Sequence, residues 1–254
     1  MEELSIGLFV LAIIMAVVAF AYSSVGLGGA SSYTAIMVLA GMSTVVVPTV
    51  SLVMNLFVTT IGAFNFLRHR HGRFDLIAPF LVSSIPFSYL GGSLVLPRVV
   101  FYWLLLASLL IIAARIYLFS NLRIQLQLTR NGEITVSLIL GAILGFVAGA
   151  VGIGGGVYLV PLIILFGLGS EKEAAACGAI FIWMNSLAGL AARLQYQSID
   201  IVEYWPLLAA TVVGGFIGSH SGAKIFAPET MQRILGVIIL IAIGFLLRKL
   251  LFNM

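Results

Sequence analysis

Long apolar runs, separated by short polar stretches, divide the chain into ten segments, five in each half. Their lengths are typical of helices rather than strands. We expect helices at about 4–25, 30–41, 45–67, 76–96 and 99–120, and at about 134–151, 156–168, 174–196, 203–222 and 230–252. A helix that crosses a bilayer needs about 20 mostly apolar residues. The pattern therefore predicts a polytopic membrane protein with eight to ten crossings.

Glycine-rich stretches precede the two shortest segments, at matching places in the two halves. Residues 25–30 read VGLGGA and residues 151–156 read VGIGGG. Each stretch follows an apolar run of helix length and precedes an apolar run of about 12 to 14 residues. A duplicated pair of interrupted hydrophobic segments indicates a transporter whose substrate site lies at the interface between two repeats.

An internal repeat extends beyond the glycines. The positions that align are 25–29 with 151–155 at a shift of 126, Pro79 with Pro206 and Gly91 with Gly218 at 127, and Asn55 with Asn185 at 130. We expect an all-α polytopic integral membrane protein of two homologous repeats, with four to five hydrophobic segments each. Short or broken helices follow the glycine-rich turns. The first repeat covers 1–121, a polar linker 122–133, and the second repeat 134–254.

Two arrangements of the short segments stay open at this point. If they cross the membrane, each half has five crossings, the halves are inverted, and an outside N-terminus places nine of the 13 Lys and Arg residues inside. If they are re-entrant hairpins, each half has four crossings, the halves are parallel, and an inside N-terminus also places nine inside. The positive-inside rule does not distinguish the two.

The composition supports lipid as the solvent of this chain. It is 61% hydrophobic and only 9% charged, against about 25% charged residues in a soluble domain. The net charge of +4 indicates loops biased toward the cytoplasm rather than a nucleic-acid surface. No zinc-ligand helix motif, nucleophile elbow or nucleotide-binding loop with its lysine occurs. We therefore expect no enzyme activity, no metal site, no cofactor and no nucleic-acid partner.

The glycine stretches are the first candidates for a binding site. Non-helical backbone at membrane depth is tolerated only where it is buried in protein or lines a cavity. The short helix that follows each stretch begins with free N–H groups and a positive dipole end, which together attract anions. We expect the site to be shaped by Gly26, Gly28, Gly29, Gly152, Gly154, Gly155 and Gly156. Hydroxyl donors could come from Ser31, Ser32 and Tyr158.

Three further polar residues lie inside apolar segments. Asn55 and Asn185 are each near the middle of a segment of about 23 residues. A buried amide must find partners, so both either bond between helices or face a midplane cavity. Arg193 lies eight residues after Asn185, on nearly the same helix face. It either supplies positive charge to an anionic ligand or snorkels at the helix end.

The second glycine stretch resembles the signature of the sulfite exporter TauE/SafE family. The similarity lies in residues 151–156, in the following Val160-Pro161-Leu162 and Gly167, in the central Asn185 and in the segment Gly214-Gly215-x-x-Gly218. It covers essentially the whole chain. The resemblance implies a multi-pass permease of two repeats in the plasma membrane of a prokaryote, the inner membrane if the cell is Gram-negative. It also implies export of sulfite, sulfoacetate or related organosulfur anions.

The first glycine stretch departs from that family pattern. Ala30 stands where a third glycine is common, and Ala35 stands where Pro161 lies in the second copy. We expect a secondary transporter that exports small sulfur-containing anions by alternating access around a midplane site. Its partners are then the anion and the lipid bilayer, with protons as one candidate coupling ion. The alternatives are a passive channel or permease for another small anion, such as a carboxylate, and a non-transporting membrane scaffold subunit.

Overall fold

The computed structural model describes residues 2–24, 27–68, 73–118, 129–196, 201–222 and 228–252. Within these ranges the chain forms ten α-helices and a short 3-10 turn at Val202–Tyr204. The helices of the first half are α1 (Glu2–Ser24), α2 (Ala30–Leu39), α3 (Val46–Arg68), α4 (Phe74–Ser93) and α5 (Arg98–Tyr117). Those of the second half are α6 (Arg130–Val151), α7 (Gly156–Leu165), α8 (Glu171–Tyr196), α9 (Trp205–Gly222) and α10 (Pro228–Phe252). Every predicted segment is a helix, although α6 begins four residues before its predicted start.

Large apolar side chains cover the outside of the helix bundle. Ile13, Val82 and Phe216 are 67%, 69% and 62% exposed. Apolar surface on this scale is typical of a protein whose outer face meets lipid tails rather than water. Five helices of the described ranges are long and apolar enough to cross a bilayer. Shorter apolar stretches are the helices Ala30–Leu39 and Gly156–Leu165 and the part Val46–Ile61 of α3. The fold is therefore that of an all-α polytopic membrane protein.

The two largest helix contacts join one half of the chain to the other. α4 packs on α6, and α1 packs on α9. In the first pair, Cβ atoms added to Gly145 and Gly149 would overlap the backbone carbonyl oxygens of Ser84 and Ser88. Small residues let helix backbones approach closely where lipid supplies no hydrophobic driving force. The first helix of each half is thus held against the fourth helix of the other.

The two contacts are built in the same way. A Cβ on Gly91 of α4 would overlap the carbonyl oxygen of Phe146, and a Cβ on Gly218 of α9 would overlap that of Phe20. Gly91 and Gly218 are 127 residues apart, and Phe20 and Phe146 are 126 apart. These are the shifts that align the two halves in sequence. The duplication itself stays a prediction. Two equivalent contacts, related by the same shifts as the sequence, are what a duplicated chain would show.

The third helices of the two halves run antiparallel. The Nδ2 of Asn55 donates to the Oγ of Ser186 at 3.1 Å. One to two turns further along α3, the Oγ1 of Thr60 accepts from the Nε1 of Trp183 at 3.0 Å, and Trp183 precedes Ser186 in α8. Residue numbers that increase along α3 therefore lie opposite residue numbers that decrease along α8, so the two helices are antiparallel.

The fifth helices are antiparallel in the same sense. The Nζ of Lys249 lies 5.5 Å from the ring centre of Tyr102 at one end of the pair. At the other end, a Cβ on Gly236 would meet the ring of Tyr117. In both of these pairs the corresponding helices point in opposite directions, which agrees with the inverted arrangement and not with the parallel one.

The α4–α6 contact gives a stability prediction. Gly149→Ala places a methyl group against the Ser88 carbonyl oxygen, so the helices must separate. Overpacking of this kind costs about 1–3 kcal/mol. We expect a lower thermal unfolding temperature for the purified protein in lipid nanodiscs, followed by tryptophan fluorescence.

Gly244→Ala is the matched control, because a Cβ there would have no neighbour within 4 Å. That change should leave the unfolding temperature unchanged or raise it, since alanine favours a helix interior over glycine by about 1 kcal/mol. Equal unfolding temperatures for the two variants would contradict the proposed tightness of the α4–α6 contact.

Candidate functional site

The second glycine stretch interrupts the helix by left-handed backbone. α6 ends at Val151, and the capping residue Gly152 has φ of 80° and donates its N–H to the carbonyl of Ala148. Gly154 and Gly155 both have φ of 76°. Residues with a Cβ rarely adopt such angles, so these positions favour glycine. The chain reverses here within four residues, and α7 begins at Gly156.

The first glycine stretch uses its glycines differently. Gly26, one of the predicted site residues, lies outside the described residues. Gly29 has φ of −86°, which any residue adopts, and Gly28 has no positive φ. A Cβ on Gly28 would overlap the Oδ1 of Asn55 and lie 2.8 Å from the Cγ2 of Thr59. Glycine is therefore needed at position 28 for space rather than for backbone angle.

Asn55 lies between the two breaks. A Cβ on Gly28 would overlap its Oδ1, and a Cβ on Gly154 would overlap its Nδ2. The side chain is fully buried, and its Nδ2 donates to the Oγ of Ser186. One amide from the middle of α3 thus contacts both glycine stretches and α8. The two breaks therefore meet at this side chain.

Both short helices begin beside this amide. Within the described residues, the N–H groups of 28–31 and 154–157 donate to no backbone carbonyl. Such orphan donors, together with the positive end of each helix dipole, attract negative charge. Two helix N-termini that face one buried amide make an environment suited to a small anion.

Asn185 occupies a different position from its predicted mate. It is fully buried, and its Nδ2 donates to the carbonyl of Phe181 in its own helix at 2.8 Å. The next residue, Ser186, is the one that meets Asn55. Sequence reasoning missed Ser186, and its only signal was adjacency to Asn185. A role for Asn185 in ligand contact stays a prediction, and its Oδ1 has no hydrogen-bond partner among the described residues.

The predicted serines contact a tyrosine that the sequence analysis did not single out. The hydroxyl of Tyr22, at the end of α1, lies 3.0 Å from the Oγ of Ser31 and 2.8 Å from that of Ser32. All three side chains are buried. Tyr158 is also buried, near the start of α7, and its hydroxyl faces Ser108 of α5. The predicted serine hydroxyls are therefore held at the first turn of α2 by the end of α1.

The other predicted glycines pack against helices rather than against Asn55. A Cβ would lie within 3 Å of a neighbouring side-chain or backbone atom in each case, so each of these glycines is tightly packed on its Cβ side. The pairs are Gly29 with Tyr33, Gly152 with Pro48, Gly155 with Phe181, and Gly156 with Ile182.

Arg193 lies inside the bundle, with 2% of its surface exposed. Its Nη2 donates to the carbonyls of Gly149 and Ala150 at 2.9 and 2.8 Å. These carbonyls belong to the last turn of α6, where no helical partner exists. The interpretation as a snorkelling arginine is wrong, because the side chain reaches a neighbouring helix end instead of the surface. Direct contact of Arg193 with a ligand stays a prediction.

Comparison with known proteins gives a consistent assignment. The family model described as "Sulfite exporter TauE/SafE" matches residues 11–246. A protein of Sinorhizobium fredii (strain NBRC 101917 / NGR234), named probable membrane transporter protein y4hK, is 34% identical over 95% of this chain and 98% of its own length. The probable membrane transporter protein YjnA of Bacillus subtilis (strain 168) is 25% identical over 85% of this chain and 91% of its own length. No solved structure matches the chain.

Removing the guanidinium of Arg193 should destabilise the protein. Arg193→Met leaves two buried carbonyls without this donor, and an unsatisfied buried group costs about 1–3 kcal/mol. We expect a clear fall in thermal unfolding temperature in nanodiscs, and a smaller fall for Arg193→Lys, which keeps a charged donor.

Arg248→Met is the control, because Arg248 is exposed at the end of α10. It should unfold at the wild-type temperature. If Arg193→Met also unfolds at that temperature, the capping role assigned here is incorrect.

Proposed function

The chain belongs to the sulfite exporter TauE/SafE family, as the resemblance of its glycine motif predicted, and we propose that it is a secondary transporter for small sulfur-containing anions. Sulfite and organosulfonates such as sulfoacetate are the proposed substrates, and export across the plasma membrane of a prokaryote is the proposed direction. The observation that carries the proposal is the meeting of two glycine breaks at Asn55.

The chemistry around Asn55 suits an oxyanion. A tetrahedral or pyramidal anion presents oxygens in several directions, and N–H donors reach the region around Asn55 from the starts of both α2 and α7. The Nδ2 of Asn55 and the hydroxyl of Ser186 add polar groups beside both breaks. Helix ends and neutral side chains carry only partial charges. They can bind an anion without placing a further charged side chain in the membrane, which is costly.

The enclosure of these groups supports alternating access. Ser31, Asn55 and Ser186 are at most 1% exposed, so the structure is closed to both membrane faces at this depth. The third and fifth helices of the two halves are antiparallel, as they would be in inverted repeats. Inverted repeats move against each other around a fixed site in many transporters. We infer that rocking of the halves opens the region around Asn55 first to one face and then to the other.

Charge supports one orientation in the membrane. One end of the bundle holds the end of α3, the start of α8 and the described basic residues Arg68, Arg73, Arg115, Arg130, Lys172 and Arg233. The opposite end, where α3 and α5 begin and α10 ends, holds Arg98, Arg248 and Lys249. Basic residues favour the cytoplasmic side. The first end is therefore the proposed cytoplasmic face, and the N-terminus is proposed to lie outside.

The proposal is tested by flux in proteoliposomes that contain the purified protein. The panel is sulfite, sulfoacetate, taurine, sulfate and a carboxylate, each with and without an imposed proton gradient. We expect saturable flux of a sulfur oxyanion, and acceleration by the gradient would identify protons as the coupling ion.

Variants connect that flux to the breaks. Gly154→Ala forces a methyl group against Asn55, and Asn55→Leu removes the amide. We expect each to reduce flux at least about tenfold, the loss that follows when a well-placed polar contact is removed. Gly244→Ala should transport as the wild type. Flux of the carboxylate alone would favour a different permease, unsaturable flux a channel, and no flux in folded protein a scaffold.

A further inference from the structure

A pocket of about 450 Å³ opens at the end of the bundle that is opposite the cluster of basic helix ends. It lies where α2 ends, α3 and α5 begin, and α10 ends. Its polar lining comes from Ser43, Thr44, Arg98, Tyr102 and Lys249. Among the residues whose side chains the structure describes, no Asp or Glu lines it. Gly29, beside Asn55, is at the other end of α2, about 15 Å away for a helix of ten residues. The pocket is therefore separate from the region around Asn55.

Two cations border the pocket, one held by contacts and one exposed. The Nζ of Lys249 donates to the carbonyl of Val38 at 2.8 Å and lies over the ring of Tyr102. These contacts fix the ammonium group at the pocket wall. Arg98 is exposed in the first turn of α5 and makes no hydrogen bond or ion pair with the described residues. Its five N–H donors are thus available to a ligand.

The start of α5 adds donors of its own. The residue before the helix is Pro97, whose side chain provides no cap. The first backbone bond of the helix runs from the N–H of Phe101 to the carbonyl of Pro97, so the N–H groups of 98–100 have no backbone acceptor among the described residues. In contrast, Ser43 already caps α3 by accepting from the N–H groups of 45, 46 and 47.

We propose that this pocket binds an oxyanion group, a sulfonate, sulfate or phosphate, between Arg98 and Lys249. The guanidinium of Arg98 and the first-turn N–H groups of α5 hold one side of the anion, and the ammonium of Lys249 holds the other. Arginine matches the flat, two-oxygen edge of such groups by paired hydrogen bonds. The oxyanion could come from a free sulfur anion or from a lipid headgroup phosphate, and both sources share this chemistry.

The experiment is calorimetric titration of the purified protein in detergent with sulfate, and separately with inorganic phosphate. Arg98→Gln should weaken binding at least about tenfold, as expected for the loss of a charged donor. Arg98→Lys should keep more of the affinity. Arg248→Gln is the control, because Arg248 is exposed beside Lys249 but does not line the pocket.

Two further arms separate the sources and the sites. If the ligand is a lipid headgroup, phosphatidylglycerol in the nanodisc should compete with sulfate and weaken sulfate binding. Native mass spectrometry should then show phosphatidylglycerol retained by the wild type but not by Arg98→Gln. Nanodiscs of phosphatidylcholine alone give the reference, and no effect of phosphatidylglycerol would assign the pocket to a free anion.

Asn55→Leu should keep Arg98-dependent anion binding even if it abolishes flux. If the wild type binds anions through Arg98 but shows no flux, the proposed transport function fails and the pocket proposal still holds. Absence of Arg98-dependent binding of sulfate, phosphate and phosphatidylglycerol would overturn it.

Discussion

Every backbone polar group in the hydrocarbon region must be satisfied without water, and the rest of this structure depends on that constraint. Helices meet it internally, but residues 27–29 and 152–155 are not helical. They persist because α3, α8 and the first turns of the short helices enclose them. Asn55 contacts both stretches. The backbone groups left without helical hydrogen bonds at the two interruptions therefore lie in one buried region. The N–H groups that have no backbone acceptor within the described residues are the feature that an anion can use.

Close packing makes this enclosure possible. Glycines along α6 and α9 bring backbones of the opposite half into direct contact, and Arg193 supplies donors to the last carbonyls of α6 just before the break. The same packing joins the first helix of each half to the fourth helix of the other. Any motion that exposes Asn55 must therefore move helices of both halves together, rather than a single loop.

The sequence predicted the elements better than their partners. Ten helices followed from hydrophobic length, and the breaks from glycine, because both depend on local physics. Asn55 and Asn185 were both expected to bond between helices or to face a midplane cavity. The residue that bonds to Asn55 across the halves is Ser186, and one residue turns a side chain by about 100° around a helix. Arg193 was misread because its acceptors lie more than 40 residues earlier in the chain. The relative directions of the helices could be determined only from contacts between the halves, because the inverted and the parallel arrangement place equal numbers of basic residues inside.

The most direct test of one shared site is thiol labelling of Ser186→Cys in a protein whose single cysteine, Cys177, is replaced by alanine. A sulfonate-bearing methanethiosulfonate that does not cross membranes is applied to vesicles of each orientation. The account predicts labelling from both faces, slowed in each case by the transported anion, because the residue lies beside Asn55 at the point where both breaks meet. Labelling from one face only, or at a rate that the anion does not change, would contradict it.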